Sequence, residues 1–301
     1  IIKNFTKIIN SEVVFSSNTS SISISKLAKY SLYPANFIGI HFFSPVHKMK
    51  LVEIINSKET SPSTLAKAFD FVKIIKKLPI VVNDGPGFYT TRVFEKYTCE
   101  GLTLLYEGQR ADLIETAGKE AGFPVGPLAI LDEISIALAA HIRNQTSKDI
   151  PKQEPNQKEP CDKVIDLMIN KAKRTGRHGG GGFYDYYSNK KKSLWTEIHS
   201  HFPPSKIKLP IEEIIDRYYF SQALETIRCY EEGIITSVAD ANIGSVFGWG
   251  FPSFKGGTLQ FVNDYGVVDF RNRAQELAEK YGNRFLPPKL LKEMANSGKT
   301  F

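Results

Sequence analysis

Asn36-Phe-Ile-Gly-Ile-His41-Phe-Phe-Ser-Pro-Val-His-Lys-Met-Lys-Leu-Val-Glu53-Ile-Ile55 is the stretch on which the reading of the whole chain turns. Two apolar, β-branched runs, 37–43 and 51–55, flank a polar Ser-Pro-Val-His-Lys-Met connection, the pattern of two buried strands joined by a short loop. His41 closes one strand and Glu53 lies in the next. An imidazole, with an ordinary pKa of about 6.5, exchanges protons near neutrality, and a carboxylate beside it fixes its tautomer and stabilises the imidazolium. Spacing alone is a weak signal, because a core histidine satisfied by a neighbour has the same pattern. A dyad requires both side chains on one face of the sheet.

Working outward, Ile1, Ile2, Phe5, Ile8 and Ile9 share one face of a helix end over 1–10. A strand over Val13–Phe15 follows, then the polar turn Ser17-Asn18-Thr19-Ser20-Ser21 and a short helix that Ser23 or Ser25 can cap. Ligands of open α/β sheets gather at the C-terminal ends of strands, where this turn sits. Beyond the central pair come a helix from Ser61 or Pro62 to Lys77 and a strand over Ile80–Asn83, which is β-α-β order with one strand pair added. From Asp84 the pattern turns helical, with helices expected over Tyr89–Leu105, 110–121 and 127–143. Asn144–Pro160, poor in apolar residues, is expected to be a mobile loop, and Gly179–Gly182 a surface turn. A weak repeat is visible: Leu105-Tyr-Glu-Gly, Gly122-Phe-Pro and Leu131-Asp-Glu return as Cys229-Tyr-Glu-Glu-Gly, Gly250-Phe-Pro and Val262-Asn-Asp.

With 42% hydrophobic and 24% charged residues, a chain of 301 residues can bury a real core in two or three domains. No apolar run approaches the roughly 20 residues needed to cross a bilayer. The net charge of +7 suits a polyanionic partner, but the basic residues are spread along the chain and no nucleic-acid module pattern is present. Cys99, Cys161 and Cys229 are far apart and outside metal-ligand spacing, so they read as reduced thiols of an intracellular protein with no metal site.

Phe15-Ser-Ser-Asn-Thr-Ser20-Ser21, Gly39-Ile-His-Phe-Phe-Ser-Pro-Val46 and Asp84-Gly-Pro-Gly-Phe-Tyr-Thr-Thr-Arg92 resemble, in order and spacing, the L-3-hydroxyacyl-CoA dehydrogenases of fatty acid β-oxidation. Gly122-Phe-Pro-Val-Gly126 and Phe247-Gly-Trp-Gly-Phe-Pro252 extend the likeness to the C-terminal half of the mitochondrial trifunctional enzyme α subunits. The resemblance covers nearly the whole chain and fails mainly between about 144 and 162. It implies an α/β then all-α fold: a partial Rossmann-type NAD-binding domain, its first βαβ missing, followed by two related helical lobes. The expected division is 1–83 for the nucleotide domain, 84–186 for the first helical domain, 187–210 for a linker and 211–301 for the second helical domain.

The resemblance further implies NAD-dependent oxidation of (S)-3-hydroxyacyl-CoA to 3-ketoacyl-CoA. His41 stands at the family's base, Glu53 at its glutamate partner and Ser20 at the serine that meets the substrate oxygen near the nicotinamide. Asn18 and Ser44 fall on the cofactor side. Thr91 faces substrate, although monofunctional relatives carry asparagine there, as many do at Ser44. The implied partners are an acyl-CoA substrate and a thiolase-type β subunit in a multienzyme complex, with inner-membrane association, a mitochondrial address and no nucleic acid. No Gly-x-Gly-x-x-Gly follows a strand anywhere in the chain. The pyrophosphate cradle is therefore expected upstream, and the chain as written is expected to bind NAD poorly; the resemblance separately implies an enoyl-CoA hydratase domain in the parent. Asn296–Phe301 resembles the α subunit's end. The rival reading is a non-catalytic helical scaffold that has lost its nucleotide site.

Overall fold

Strand-forming residues on either side of Ser44–Lys50 place two six-residue strands at the centre of a sheet. The computed structural model describes residues 1–149, 159–187 and 191–301. Its first elements are α1 (Ile2–Phe5), β1 (Phe15–Ser17), α2 (Ile24–Ala28), β2 (Phe37–Phe42), β3 (Leu51–Asn56), α3 (Pro62–Ile74) and β4 (Leu78–Asn83). The four strands run in the order β1-β2-β3-β4; β1 and β2 are parallel, β2 and β3 antiparallel, β3 and β4 parallel. This is the Rossmann-like sheet expected from the sequence.

Register decides the site. Ile40 pairs with Ile54, His41 with Glu53 and Phe42 with Val52. Ile38, Ile40, Val52 and Ile54 therefore share one face, where they pack on Ala68 and Val72 of α3. His41 and Glu53 share the other, and a slip of one residue would exchange the faces.

The helical region comprises α4 (Thr90–Tyr106), α5 (Ala111–Glu120), α6 (Pro127–Ile134), α7 (Ile136–Asp149), α8 (Pro160–Asp166), α9 (Ile198–His201), α10 (Ile211–Glu231), α11 (Val238–Trp249), α12 (Thr258–Tyr265), α13 (Val267–Tyr281) and α14 (Lys289–Ser297). A small hairpin, β5 (Tyr184–Asp185) with β6 (Ser193–Leu194), interrupts it. The chain forms two compact units, 1–93 with 223–301 and 94–222. In the first, α11 lies on the face of the sheet that carries Glu53, so close that a Cβ on Gly244 would stand 2.9 Å from side-chain atoms of Ile80 and Tyr89. The weak sequence repeat corresponds to α5-α6-α7 and α11-α12-α13. In each set the last two helices are separated by a residue of almost the same backbone shape: Ser135 at φ 79°, ψ 120° and Gly266 at φ 89°, ψ 117°.

Several local expectations differ from the structure. The apolar face over 1–10 does not form, because α1 ends at Phe5 and leaves Ile1, Phe5 and Ile8 exposed. The helix expected over 127–143 is broken at Ser135. Its second part runs on to Asp149, since no proline or glycine intervenes before Pro151; residues 150–158 of the expected loop lie outside the described residues. Gly181 and Gly182 are buried rather than in a surface turn, and a Cβ on Gly182 would collide with the Asp132 carboxylate at 1.8 Å. Within 187–210, β6 and α9 form, and Trp195, Ile198 and Phe202 are buried.

Candidate active site

His41 Nδ1 lies 2.9 Å from Glu53 Oε2. The antiparallel register places the two side chains opposite each other, where cross-strand neighbours touch. Glu53 is fully buried and His41 is 7% exposed. The other contacts of Glu53 all come from donors. Its Oε1 accepts from the Tyr89 and Thr90 backbone N–H groups, each at 3.0 Å, and its Oε2 accepts from the Thr90 hydroxyl at 2.7 Å. A carboxyl that accepts at both oxygens draws the proton of the imidazole to Nδ1 and leaves the lone pair on Nε2, which has no protein partner among the described residues. The imidazole lies between two aromatic rings, Phe43 at 4.6 Å and Phe88 at 6.4 Å between centroids.

The donors reach Glu53 because of the turn before α4. Gly87 and Phe88 both adopt positive φ, 70° and 52°, a conformation that is open to glycine but costs a phenylalanine about 1 kcal/mol. This swing buries Phe88 and aims the first N–H groups of α4 at the carboxylate, where a helix N-terminus favours negative charge. Two anchors hold that start in place. The Tyr89 hydroxyl donates to the Ala241 carbonyl at 2.8 Å, its phenol kept far above the ordinary range by burial. The Arg92 guanidinium grips Glu225 at 2.5 Å and Glu232 at 2.5 and 2.9 Å.

Asn18 is brought to the same end of the sheet, its Oδ1 accepting from the Phe42 N–H at 2.8 Å, one residue past His41. Ser20 is half-buried two residues further along that turn, which Thr19 shapes by accepting from the Ser21 and Ile22 N–H groups. Ser44 is exposed just beyond β2, at a cis peptide bond to Pro45. Thr91 is half-buried in the first turn of α4, but the hydroxyl that meets Glu53 belongs to its neighbour Thr90.

Thr90, the two aromatic rings and Asp84 were not singled out in the sequence. Asp84 accepts from the Ser23 hydroxyl at 2.6 Å and from the Ile24 and Ser25 N–H groups at 3.1 and 2.8 Å, so it fastens the start of α2 and the turn before it. The available signal was the acidic residue before Gly85-Pro-Gly87, two motifs away from the serine it holds.

For a dinucleotide, the polar groups at the ends of β1 and β2 suit the nicotinamide end. A cleft of about 700 Å³ adjoins them, lined by Phe15, Ser17, Asn18, Ile22 and Tyr30 among others. A glycine turn for the pyrophosphate is not among the 301 residues.

Two family models match: 3-hydroxyacyl-CoA dehydrogenase, NAD binding domain, over residues 1–85, and 3-hydroxyacyl-CoA dehydrogenase, C-terminal domain, over residues 87–186. A fatty acid oxidation complex subunit alpha from Shewanella amazonensis is 40% identical over 292 residues, which are 96% of this chain and 40% of that protein. The chain thus spans less than half the length of such relatives. The dehydrogenase part of multifunctional enzyme 1 from C. elegans superposes with a TM-score of 0.66 at 27% identity, covering 96% of this chain and 66% of that one. A 3-hydroxybutyryl-CoA dehydrogenase from Escherichia coli shares the fold, with a TM-score of 0.78 at 19% identity over 99% of this chain and 78% of that one. The mitochondrial address expected from the motifs does not stand, because the similar alpha subunits are bacterial. Among the described residues no helix is long and apolar enough to cross a membrane.

Proposed function

This chain belongs to the 3-hydroxyacyl-CoA dehydrogenase family, its two domain models together matching residues 1–85 and 87–186, and from that premise we propose that the protein oxidises (S)-3-hydroxyacyl-CoA to 3-ketoacyl-CoA. NAD, the cofactor of the matched domain, supplies the hydride acceptor when bound. His41 Nε2 takes the proton of the 3-hydroxyl as the hydride leaves C3. Glu53 holds Nδ1–H and stabilises the imidazolium that results, and Thr90 fixes Glu53. Ser20 donates to the reacting oxygen, Asn18 and Ser44 border the nicotinamide, and Thr91 contacts the acyl-CoA. The working division of the chain is a nucleotide domain to residue 83, a first helical domain to 186, a linker to 210 and a second helical domain to 301. The name of the similar alpha subunits supports a place in a fatty acid oxidation complex; a thiolase-type β subunit as partner and a hydratase activity elsewhere in the whole protein extend that reading from the resemblance of the motifs.

The observation that carries this reading is the 2.9 Å contact between His41 and Glu53, buried at the end of a strand in a chain of this family. The test is reduction of acetoacetyl-CoA by NADH in the full-length protein. His41→Ala should lower kcat by about a thousandfold, within the range for loss of a general acid or base, and leave NAD affinity within about twofold. A His41→Ala enzyme with near-normal kcat would overturn the assignment.

A further inference from the structure

Cys99 and Cys161, far apart in the sequence, meet in the 94–222 unit. Cys99 lies on α4 and Cys161 on the first turn of α8, and their thiols are hydrogen-bonded to each other. Arg143 of α7 is the third member: its Nη1 donates to Cys99 Sγ at 2.8 Å. The guanidinium is held there from both sides, with Nε 2.9 Å from Asp162, the residue after Cys161, and 3.4 Å from Glu95, one helical turn before Cys99. Cys161 is 5% exposed and the residue Cys99 is partly covered.

Two thiols that share a hydrogen bond beside a fixed guanidinium lose one proton easily and the second with difficulty. The hydrogen bond with its partner holds Cys161 below the ordinary thiol range and pushes Cys99 above it. Thiolate character next to a cation and a second thiol within reach are the two requirements of a redox-sensitive pair. Nothing in the hydroxyacyl-CoA chemistry at His41 uses either sulfur.

We propose that Cys99, Cys161 and Arg143 form a peroxide-sensitive site at which the two thiols join reversibly as a disulfide linking α4 to α8. A hydroperoxide is the oxidant. One thiolate attacks the O–O bond, giving a sulfenic acid and releasing hydroxide, or an alcohol from an organic peroxide. The second thiolate then attacks the sulfenic sulfur and expels hydroxide. Two electrons pass from the sulfurs to the peroxide, so that two thiols and one hydrogen peroxide give one disulfide and two waters. A dithiol reverses the reaction by exchange.

The test treats the folded protein with hydrogen peroxide, blocks remaining thiols and maps its peptides without reduction. The expected product is a single pair of peptides joined through Cys99 and Cys161, lost on adding dithiothreitol, with fully buried Cys229 left as a thiol. Cys99→Ser should yield a sulfenic acid on Cys161 that a dimedone probe captures, and Arg143→Gln should slow the joining about tenfold or more. If a variant does not fold, the map of the unsubstituted protein decides alone. Persistence of both thiols, oxidation of Cys99 to sulfinic acid without joining, or linkage only after unfolding would each overturn the proposal.

Discussion

The two helical lobes fasten matching backbone with different chemistry. In the first, Glu115 Oε1 of α5 accepts from the Leu128 and Ala129 N–H groups at the start of α6, at 2.8 and 3.3 Å. In the second, Asn242 Oδ1 of α11 accepts from the Leu259 and Gln260 N–H groups at the start of α12, at 2.9 and 3.1 Å. A glycine presses on each cap: a Cβ on Gly126 would stand 2.5 Å from the Glu115 carboxyl, and one on Gly257 would stand 2.6 Å from Asn242 Cβ. Further on, Asp132 accepts from the Phe183 and Tyr184 N–H groups, both at 2.9 Å. Its counterpart Asn263 accepts from the Phe301 N–H and donates to the Phe301 carbonyl, again at 2.9 Å.

Carboxylates in one lobe thus do what amides do in the other, at an electrostatic cost. Burial raises the Glu115 carboxyl and pushes Asp132 up to about 6. Glu53, reaching from β3 to the start of α4, completes the series, likewise with two backbone donors and one hydroxyl. Asn242 shows that such a cap needs no charge. What sets Glu53 apart is the imidazole, for which a charge matters, because a carboxylate stabilises the cation formed on proton transfer and an amide does not.

The largest expected effect follows from that difference. Glu53→Gln keeps an oxygen for the helix start but can turn an N–H toward His41, and kcat for acetoacetyl-CoA reduction should fall about a hundredfold. Urea unfolding should show a loss of only about 1–2 kcal/mol. Unchanged turnover would reduce Glu53 to the capping role of Asn242.

The next is a pH effect confined to one lobe. Asp132 has a folded pKa of about 6 against an ordinary carboxyl value of about 4, so the folded state holds the proton more tightly. Its contribution to stability is therefore fully present below about pH 4 and is lost as pH rises through about 6, on the order of 2–3 kcal/mol. Amide exchange at Phe183 and Tyr184, corrected for intrinsic rates, should quicken between pH 5 and 7, while Phe301, held by Asn263, should not respond. Equal responses would remove the distinction between the lobes.

The smallest effect is expected for Glu115→Gln, which can still accept from Leu128 and Ala129 and can donate to the Tyr184 hydroxyl, now 2.7 Å from Oε2. Its urea midpoint should correspond to a change within about 1 kcal/mol, and its turnover should be normal. A Glu115→Gln protein as impaired as Glu53→Gln would mean that the carboxylates act alike.

The strands around His41 and Glu53 were legible because side-chain alternation of period two leaves one register that buries Ile38, Ile40, Val52 and Ile54 together. The helix break at Ser135 was not, since a serine there reads as helical, whereas Gly266 marks the same break openly in the second lobe. That the Thr90 hydroxyl reaches Glu53 depends on the phase of the first turn of α4, which is set by positive φ at Gly87 and Phe88. The meeting of Cys99 and Cys161 is a tertiary event that sequence distance hides. Motifs clustered on shared chemistry carried the family but not the cellular address, which the bacterial relatives corrected.

The tautomer of His41 tests most directly whether the pair is built for proton transfer. In the nitrogen-15 labelled protein, at a pH where the ring is neutral, the imidazole should carry its proton on Nδ1 and leave Nε2 bare, and Glu53→Gln should relax that preference. A proton found on Nε2, or a ring that averages both tautomers as an exposed histidine does, would contradict the role assigned to Glu53.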